Sequence, residues 1–445
     1  MRRVGWIVGG MVGLLLAVSG IADETATGLL TSSQLAHPGY TLIAPISSTA
    51  TYLIDLEGNV VHRWESDAEA GNAAYLLESG NLLRSEQLAP NGTRTFDRGG
   101  AGGRVREIAP DGTIIWEFVH SNAAGRLHHD VEALPNGNVL MIAWEAKSSE
   151  EVIAAGRDPL LLQDGELWPD RIIEIEPILP EGGRVVWEWH VWDHLIQDHD
   201  PTKENYGDVS AHPELIDLNF ASGGGPADWN HTNAIAYDAQ LDQIVVSVHE
   251  FSEIWILDHS TTTEEAAGHA GGKAGKGGDL LYRWGNPQAY GAGTRRDQIL
   301  FGQHDAHWIA PGLPGAGNLL LFNNGFNRPG EKWSSVTEIK APADSEGTYS
   351  LRAGMAYAPR LPSWRYASAD IYSPNISGVQ RLGNGNTLIC SGASGRLTEV
   401  TPHGDIVWIY VNPYATGQGS KLRREVFKVR RYDSDHPGIL ALLET

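Results

Sequence analysis

The chain has 445 residues, of which 33 are Lys or Arg and 55 are Asp or Glu, so its formal net charge at neutral pH is −22. A charge this negative repels phosphate backbones and anionic lipids, so neither nucleic acid nor a membrane surface is expected as a partner. Apolar residues make up 41% of the chain, which is too many for a disordered protein. The length suits two or three domains, or one large domain built from repeats.

The first 22 residues differ in composition from the rest. Arg2 and Arg3 precede an apolar stretch from Val4 to Ala22, and Asp23 follows directly. A basic start, an apolar middle and small residues before a charge are typical of a secretory signal peptide. A retained membrane anchor is the alternative, because the stretch approaches the roughly 20 residues that span a bilayer. We predict a signal peptide at residues 1–22 and a periplasmic or secreted mature protein.

Cys390 is the only cysteine. A single cysteine cannot close an intrachain disulfide, and it excludes zinc ribbons and iron–sulfur clusters. Any metal would therefore have to be bound by His, Asp and Glu. Cys390 ends the apolar run NTLIC and is predicted to be buried in the core rather than to act as a nucleophile.

Two short patterns alternate along the chain and predict strands. The first is a glycine followed by two aliphatic residues and aromatic residues: GNVVHRW from Gly58, GTIIWEF from Gly112, GRVVWEW from Gly183, GDLLYRW from Gly278 and GDIVWIY from Gly404. The second is a Gly-Asn turn followed by aliphatic residues: SGNLL at Gly80, NGNVL at Gly137, AGNLL at Gly317 and NGNTL at Gly385, with a degenerate copy, LDQIV, from Leu241. Glycine supplies the turn, and the residues after it favour a pleated strand.

Interleaving the two patterns defines six units. Four are clear, a fifth is the weak pair Gly347 and Gly385, and the last joins Gly404 to the C-terminal Pro437-Gly438-Ile439-Leu440. Short strands cannot bury their faces alone, so neighbouring units must stack. The predicted fold is all-β, a six-bladed β-propeller, with a β-sandwich as the alternative.

The remaining segments complete the predicted organisation. Residues 1–22 form the signal peptide, residues 23–45 a leader and residues 46–445 the propeller. Residues 146–168 and 193–228 are predicted to be long surface loops, and the low-complexity residues 260–278 a mobile one. Tryptophans recur at one repeat position and are predicted to pack blade against blade: Trp64, Trp116, Trp187, Trp189, Trp284 and Trp408.

Three histidines share one position relative to the second pattern. His128, His231 and His304 each lie seven residues before the turn residue that closes the strand. Equivalent positions of successive propeller blades face the same part of the central channel. We therefore expect these three side chains to converge at one mouth of the channel and to be catalytic. Further candidates for this cluster are His129, His212 and His307.

Polar groups also follow the next strand of these units. His249-Glu250 ends one strand, Asn323–Arg328 follows another, and Gly392–Arg396 a third. Arg328 and Arg396 would bring bidentate donors suited to sulfate, phosphate or carboxylate. In an acidic protein such a local positive charge favours an anionic substrate. We assign Arg328 a catalytic role, and we assign substrate binding to His129, Asn233, His307, Asn324 and Arg396.

Several of these segments resemble the bacterial arylsulfate sulfotransferase family. They are GYTLIAPISSTATYLIDLEGNVVHRW (Gly39–Trp64) and the motifs LHHDVEALPNGNVL, WNHTNAIAYD and GQHDAH, and the likeness extends over roughly residues 35–415. The resemblance implies an exported propeller that needs no cofactor or nucleotide donor and moves a sulfuryl group from an aryl sulfate to a phenol. It also implies a sulfated channel histidine whose surrounding His, Asn and Arg side chains stabilise charge. His231, His304 and Arg328 match family positions, and Asn233 is a weaker match.

The chain departs from that family in two respects. The family's sulfated histidine follows the strand that reads Asn386–Ser391 here, whereas this chain has Gly392-Ala393-Ser394-Gly395-Arg396 at that place. The nucleophile is then expected to be His128, His231 or His304, unless the chemistry has changed. No counterpart of the family's additional N-terminal sandwich domain is expected, because the first blade begins by about residue 50, and the oligomeric state is left open.

Two other functions fit the same residues. His128, His231 and His304 could bind Zn²⁺, Mn²⁺ or Cu²⁺ with Asp130, Asp305 or Glu250, as in a lyase or hydrolase acting on sulfated or acidic polysaccharide. Alternatively, a non-catalytic propeller could bind glycans or a protein through its loops. Sulfuryl transfer between small aryl compounds, without a bound metal, is the preferred prediction.

Overall fold

The computed structural model describes residues 26–89, 96–220, 227–352, 354–417 and 423–444. Six antiparallel sheets, five with four strands and one with five, form a six-bladed β-propeller, so the predicted fold is confirmed. The predicted signal peptide lies outside the described residues. None of the described helices is long and apolar enough to cross a membrane.

The blades are numbered along the chain, with strands given from the channel outwards. Blade 1 consists of Val426–Tyr432, Tyr40–Pro45, Ala50–Ile54 and Val60–Glu65. Blade 2 consists of Ala70–Leu76, Leu82–Gln87, Gly103–Ile108 and Ile114–Val119. Blade 3 consists of Gly125–Ala133, Val139–Glu145, Asp170–Pro177 and Gly183–His190.

The second half of the propeller follows the same order. Blade 4 consists of Thr232–Asp238, Gln243–Val248, Glu253–Asp258 and Tyr282–Trp284. Blade 5 consists of His304–Trp308, Leu319–Asn323, Ser334–Ile339 and Trp364–Ser368. Blade 6 consists of Gly378–Arg381, Thr387–Ser391, Arg396–Val400, Ile406–Val411 and Gly28–Ser32.

Short elements decorate the loops. Two small sheets pair Lys147–Ser148 with Glu166–Leu167, and Leu195–Ile196 with Ile216–Asp217. The α-helices are Ser149–Ala154, Thr263–Ala266 and Pro437–Leu443. The 3₁₀ helices are Pro159–Leu161, Val191–His194, Val209–Ala211, Pro287–Tyr290, Ala369–Ile371 and Gly392–Ser394.

Strands from the two ends of the chain close the propeller. The C-terminal strand Val426–Tyr432 is the innermost strand of blade 1 and pairs with Tyr40–Pro45. The strand Gly28–Ser32 pairs with the outer strand of blade 6. The predicted leader at residues 23–45 is therefore corrected, because its residues complete two blades instead of preceding the propeller.

The two sequence patterns correspond to two strand positions. The first pattern forms the outer strand of a blade and the second pattern the second strand of the next blade, so each predicted unit spans two blades.

Two weak copies of these patterns were wrongly predicted to be strands. Gly347 lies in a turn closed by its N–H to the Asp344 carbonyl, and Trp364–Ser368 is the outer strand of blade 5. The C-terminal copy is a helix, Pro437–Leu443, which starts with a proline at its first turn.

The recurring tryptophans link neighbouring blades, as predicted. All six are buried, and several indole N–H groups donate to a carbonyl in the turn before the outer strand of the next blade. Trp116 donates to Gly182 at 2.7 Å and Trp408 to Leu56 at 2.9 Å. Each such bond satisfies an indole that burial would otherwise leave without a partner.

The low-complexity segment at residues 260–278 contains a short helix and contacts blade 3, and its mobility stays a prediction. Its helix Thr263–Ala266 begins with a capping box formed by Thr262 and Glu265, and the Gly278 carbonyl accepts the indole N–H of Trp189 at 2.7 Å. Cys390 is fully buried, as predicted for a core residue.

Candidate active site

Histidines stand at the start of three successive inner strands. His129 lies within Gly125–Ala133, His231 directly precedes Thr232–Asp238, and His304 opens His304–Trp308. The pairing register of each strand shifts at this point, and His129 and His231 adopt left-handed φ values of 53° and 52°. Such bulges re-aim side chains, and here they turn imidazoles from different blades towards one another.

Four imidazoles and one phenyl ring form the cluster at this end of the channel. The ring centroids are 4.5 Å apart between His129 and His231, 5.2 Å between His231 and His249, and 5.5 Å between His249 and His304. Phe427, on the inner strand of blade 1, lies 5.9 Å from His129 and 6.1 Å from His304. We call these five residues the channel cluster.

His304 is held as a neutral imidazole. Its Nδ1 lies 2.8 Å from Asn324 Oδ1 and 3.2 Å from the Gly302 carbonyl. The Asn324 amide nitrogen donates to two backbone carbonyls, so its oxygen accepts and His304 Nδ1 must carry the proton. Burial, and then the charge of His249, hold the pKa of His304 well below its usual value. Both hydrogen bonds of His304 within the described residues use Nδ1, which leaves the lone pair on Nε2.

His231 is held in the opposite charge state. Its Nδ1 lies 2.5 Å from Asp228 Oδ2, and the other oxygen of Asp228 accepts the indole N–H of Trp144 at 2.9 Å. Burial lowers the pKa of His231, but the Asp228 carboxylate outweighs burial and raises it to about 9. A cationic imidazole therefore lies beside neutral ones in the same cluster.

His128 lies behind the channel cluster and not in it. Its ring stacks on Trp144 at 4.1 Å, and its Nδ1 lies 2.8 Å from His129 Nδ1. His129 precedes the last strand pair, Ala133 with Val139, by four residues, as His304 precedes the pair of Trp308 with Leu319.

His129, and not His128 as predicted, is therefore the blade 3 residue equivalent to His304. The sequence alignment missed this because the turns that follow the two strands differ in length. Burial, and then the charge of His231, place the pKa of His129 well below its usual value.

A cavity of about 190 Å³ borders the channel cluster at His249. Its walls include Glu250 and Arg295, and His249 Nδ1 lies 2.9 Å from a carboxylate oxygen of Glu250. Three phenyl rings share the lining with polar side chains: Phe220, Phe301 and Phe326 beside Ser252, Asn286, Gln288, Gln298 and Asn327. The cavity thus offers aromatic faces together with charged groups next to the imidazoles.

Arg328 stands behind one wall of this cavity. Its guanidinium lies 3.6 Å from the centroid of the Trp333 ring and 5.1 Å from that of Phe301, and it donates to the Trp333 carbonyl at 2.6 Å. Burial, and then repulsion from Arg365, lower the pKa of Arg328 to about 10, so it stays positive at neutral pH. Arg328 therefore packs against Phe301, which lines the cavity. None of its described contacts is with the channel cluster.

A buried ion-pair network blocks the channel below the cluster. Lys428 Nζ lies 2.6 Å from Asp130 Oδ2 and 3.4 Å from Asp305 Oδ1, and Arg430 makes a two-pronged contact with Asp305. His307 lies beyond these charges, in an 830 Å³ cavity at the other end of the channel. The prediction that His307 joins the substrate-binding residues is corrected, because its strand has passed the network before reaching it.

Three other predicted candidates have different surroundings. Asn233 is buried and donates to the Gln303 carbonyl at 2.8 Å, so it positions the residue before His304. Arg396 lies on the third strand of blade 6 and exerts its charge on Tyr366 of blade 5, away from the channel. His212 is half exposed and paired with Glu214. Arg396 and His212 are therefore removed from the predicted site.

The segment that replaces the family histidine lies against the C-terminal strand. Gly392–Ser394 is a 3₁₀ helix, and a methyl group on Gly392 would overlap the Val426 carbonyl next to Phe427. This position thus borders the channel cluster but offers no imidazole.

The predicted metal alternative has weak support in the geometry. Within the described ranges, one set of three His, Asp or Glu ligand atoms lies within 4.8 Å, and it consists of His194, His269 and Asp279. His128, His231 and His304 do not form such a set. Within the channel cluster, His129 and His304 are neutral but His231 is cationic. The positive charge of His231 opposes the binding of a metal ion there.

Sequence reasoning missed three residues of this site. His249 follows a predicted strand, but it was not chosen because His231 of the same unit already occupies the repeat position. Asp228 lies three residues before His231 in an irregular loop, and no periodic signal marks it. Phe427 reaches the channel only because the last strand closes the first blade, which the repeat pattern does not show.

Comparisons with known proteins agree with this architecture. Residues 31–418 match the family described as Arylsulfotransferase (ASST). Arylsulfate sulfotransferase AssT from Escherichia coli O6:H1 (strain CFT073) is 25% identical over 395 residues, a match that covers 79% of this chain and 58% of that protein. This chain therefore spans less than two thirds of the relative's length.

Solved structures with a similar chain path have low sequence identity. A Bacteroides caccae protein of unknown function is 11% identical, with a TM-score of 0.46 over 89% of this chain and 99% of that one. A putative 6-phosphogluconolactonase from Bacteroides fragilis is 12% identical, with a TM-score of 0.42 over 90% of this chain and 99% of that one. Because the family match covers most of the sequence, the chain belongs to the arylsulfotransferase (ASST) family.

Proposed function

We propose that this protein transfers a sulfuryl group from an aryl sulfate to a phenolic acceptor through a covalent intermediate on His304. The observation that carries the proposal is the pairing of a neutral His304, with its lone pair on Nε2, and a cationic His231 in one cluster. A nucleophile and an acid held in opposite charge states are what group transfer needs. Family membership supports the reaction class.

In the first half-reaction, His304 Nε2 attacks the sulfur atom of the donor. The nitrogen–sulfur bond forms as the sulfur–oxygen bond to the aryl group breaks, and the electron pair leaves with the aryl oxygen. His231 gives its proton to that oxygen, so a neutral phenol departs. The Asn324 oxygen accepts from His304 Nδ1 and stabilises the positive charge that develops on the ring.

In the second half-reaction, the acceptor phenol takes the place of the first. The neutral His231 accepts the proton of the phenol hydroxyl while the oxygen attacks sulfur. The nitrogen–sulfur bond breaks and its electron pair returns to His304 Nε2, so both histidines regain their starting states. The donor and acceptor then occupy the same site in turn, as in a ping-pong mechanism.

The aromatic cavity supports small aryl substrates over polysaccharides. Phe220, Phe301 and Phe326 offer faces on which a phenyl ring can pack, and a volume of about 190 Å³ is too small for a glycan chain. Arg295 adds a positive charge to the lining, which favours an anionic donor. Arg328 contributes by fixing the Phe301 wall.

The test is the release of 4-nitrophenol from 4-nitrophenyl sulfate, with and without added phenol. We expect phenol to accelerate release and phenyl sulfate to accumulate in equal amount. His304→Ala should lower turnover about 10³-fold while its circular dichroism spectrum stays that of the folded protein, whereas His403→Ala, at an exposed position, should match the wild type. No release with phenol present would contradict sulfuryl transfer, and full activity in His304→Ala would contradict the nucleophile.

We also propose that the protein is exported, on the basis of the N-terminal pattern at residues 1–22. N-terminal sequencing of the protein from periplasmic and culture fractions tests this. A mature chain that begins after Ala22 is expected, and uncleaved protein confined to the cytoplasm would contradict it.

A further inference from the structure

Two histidines and an aspartate meet on the outer side of blades 3 and 4. His194 ends the 3₁₀ helix Val191–His194, and His269 and Asp279 lie in the insertion between the last two strands of blade 4. Asp279 Oδ1 lies 2.9 Å from His194 Nδ1 and 2.7 Å from His269 Nδ1. This trio is separate from the channel cluster, and the proposed reaction does not use it.

The hydrogen bond on Nε2 of His194 leaves its other ring nitrogen, Nδ1, facing a carboxylate. Its Nε2 lies 2.9 Å from the Ala266 carbonyl, which can only accept, so Nε2 carries a proton. In a neutral imidazole the Nδ1 lone pair then points at the Asp279 carboxylate, and two lone pairs repel each other. A cation between these two atoms would remove that repulsion, and the His194 side chain that would help to hold it is fully buried.

The surroundings hold the His194 ring in the orientation of a metal ligand. A ring N–H that donates to a backbone carbonyl while the other nitrogen faces outwards is the usual second-shell arrangement of a metal-bound histidine. Trp189 stacks on His194 with centroids 5.5 Å apart and planes 7° from parallel. A methyl group on Gly278 would lie 2.6 Å from His194 Nε2, so glycine is required there.

The composition of this insertion explains why it needs an additional link to the rest of the protein. Residues 263–278 read TEEAAGHAGGKAGKGG and contain no apolar side chain larger than alanine. Ordering six glycines costs much conformational entropy, and burial of alanine methyl groups returns little of it. Direct bonds from His269 and Asp279 to a shared ion would hold this segment against His194.

The geometry points to a structural site for a divalent transition metal, with zinc as the expected ion. The ligands are His194 Nδ1, His269 Nδ1 and an Asp279 oxygen, and a water completes the tetrahedron. Two imidazoles favour zinc over magnesium or calcium. Tetrahedral bonds of about 2.0–2.1 Å place ligand atoms about 3.3 Å apart, so the trio opens by about half an ångström. His269 is 61% exposed and is free to make that shift.

The test combines zinc binding with limited proteolysis of the full-length mature protein. Chelator-treated protein is titrated with zinc chloride, and trypsin cleavage after the exposed Lys273 and Lys276 is followed with and without the metal. We expect one zinc per chain at this site and at least tenfold slower cleavage with zinc, while magnesium has no effect.

His269→Ala is the decisive variant, because an exposed side chain can be removed without unfolding the protein. It should lose about 100-fold in zinc affinity and all of the zinc-dependent protection, whereas His212→Ala, on a neighbouring loop, should retain both. Equal cleavage of the wild type with and without zinc would overturn the inference. Undiminished protection of His269→Ala would overturn it as well.

Discussion

At the scale of single residues, the partner on Nδ1 decides what each channel histidine can do. Asn324 offers His304 a neutral acceptor, and burial keeps that ring uncharged, whereas Asp228 offers His231 a carboxylate and makes it cationic. In the proposed mechanism, the same kind of side chain therefore serves as nucleophile in one place and as acid in the other. Neither role follows from the histidine's position in the sequence.

The pH dependence of turnover tests this assignment. The pKa of His231 is raised to about 9, so activity should fall as the pH rises through that value and the acid loses its proton. Asp228→Asn removes the carboxylate that raises the pKa of His231 most, so that pKa should fall, because burial then opposes only the weaker effects of Glu250 and Asp170. The alkaline limb of kcat/KM should move down by about two pH units or more.

The matched change at Asp405, an exposed carboxylate 3.3 Å from Thr401 Oγ1 in its own turn, serves as the control. Asp405→Asn should leave the alkaline limb in place. An unchanged limb in Asp228→Asn would mean that His231 is not the acid.

The His231–Asp228 pair also stabilises the fold fully below about pH 6.5, and this contribution disappears as the pH rises through about 9.

Two adjacent glycines offer a test of how His129 is placed. Gly100 has a φ of +84°, and a methyl group there would overlap the His129 imidazole, whereas a methyl group on Gly99 meets no atom within 4 Å. We expect Gly100→Ala to displace His129, to lower kcat at least tenfold and to destabilise the fold by about 1–3 kcal/mol. Gly99→Ala should change neither kcat nor the urea midpoint, and equal behaviour of the two variants would refute this placement.

At the scale of elements, the inner strands and the tryptophan links explain why the site keeps its shape. His129, His231 and His304 lie at bulges of the inner strands, and their direction depends on how the blades are rotated about the axis. Indole bonds such as that from Trp408 to Leu56 tie the outer turns of neighbouring blades. A change at the rim can therefore affect the alignment of imidazoles at the centre.

The tryptophan link between blades 6 and 1 can be tested by stability. Trp408→Phe keeps an aromatic ring but removes the N–H that donates to Leu56, and it leaves a partly buried carbonyl without its partner. We expect the free energy of unfolding in urea to fall by about 2–3 kcal/mol. Trp364 makes the same type of bond to Pro402 at 3.1 Å, but that bond is exposed and its ring is only partly buried, so its change to Phe should cost less than about 1 kcal/mol. An equal loss at both positions would contradict the role given to burial.

Much of the strand arrangement could be predicted from the sequence, because turn glycines followed by aliphatic–aromatic runs recur along the chain, although at irregular intervals. The weak copies at Gly347 and Pro437 were misread, since a glycine followed by apolar residues fits a loop or a helix as well as a strand. The site was harder to predict. His231, His304 and Asn324 were found from the sequence patterns. His128 was exchanged for His129 because the aligned proline lies two residues after the last strand pair in blade 3 and three in blade 5. Asp228 and Phe427 reach the site through an irregular loop and through ring closure.

At the scale of the whole molecule, the propeller divides its own channel. The buried pairs of Lys428 with Asp130 and of Arg430 with Asp305 separate the channel cluster from the large cavity at the other end. Substrates must then enter and leave through the mouth that holds the histidines and the three phenyl rings. One mouth suits a reaction in which one phenol leaves before the next one binds.

The most direct test of the account is to find the sulfuryl group on the protein. The wild type is mixed with 4-nitrophenyl sulfate in the absence of phenol, quenched at alkaline pH to preserve a nitrogen–sulfur bond, and digested for peptide mass mapping. We expect the mass of one SO₃ group on the peptide that contains His304, its disappearance on addition of phenol, and its absence in His304→Ala. Phenol-dependent turnover with no modified peptide, or with the group on another residue, would contradict the central claim.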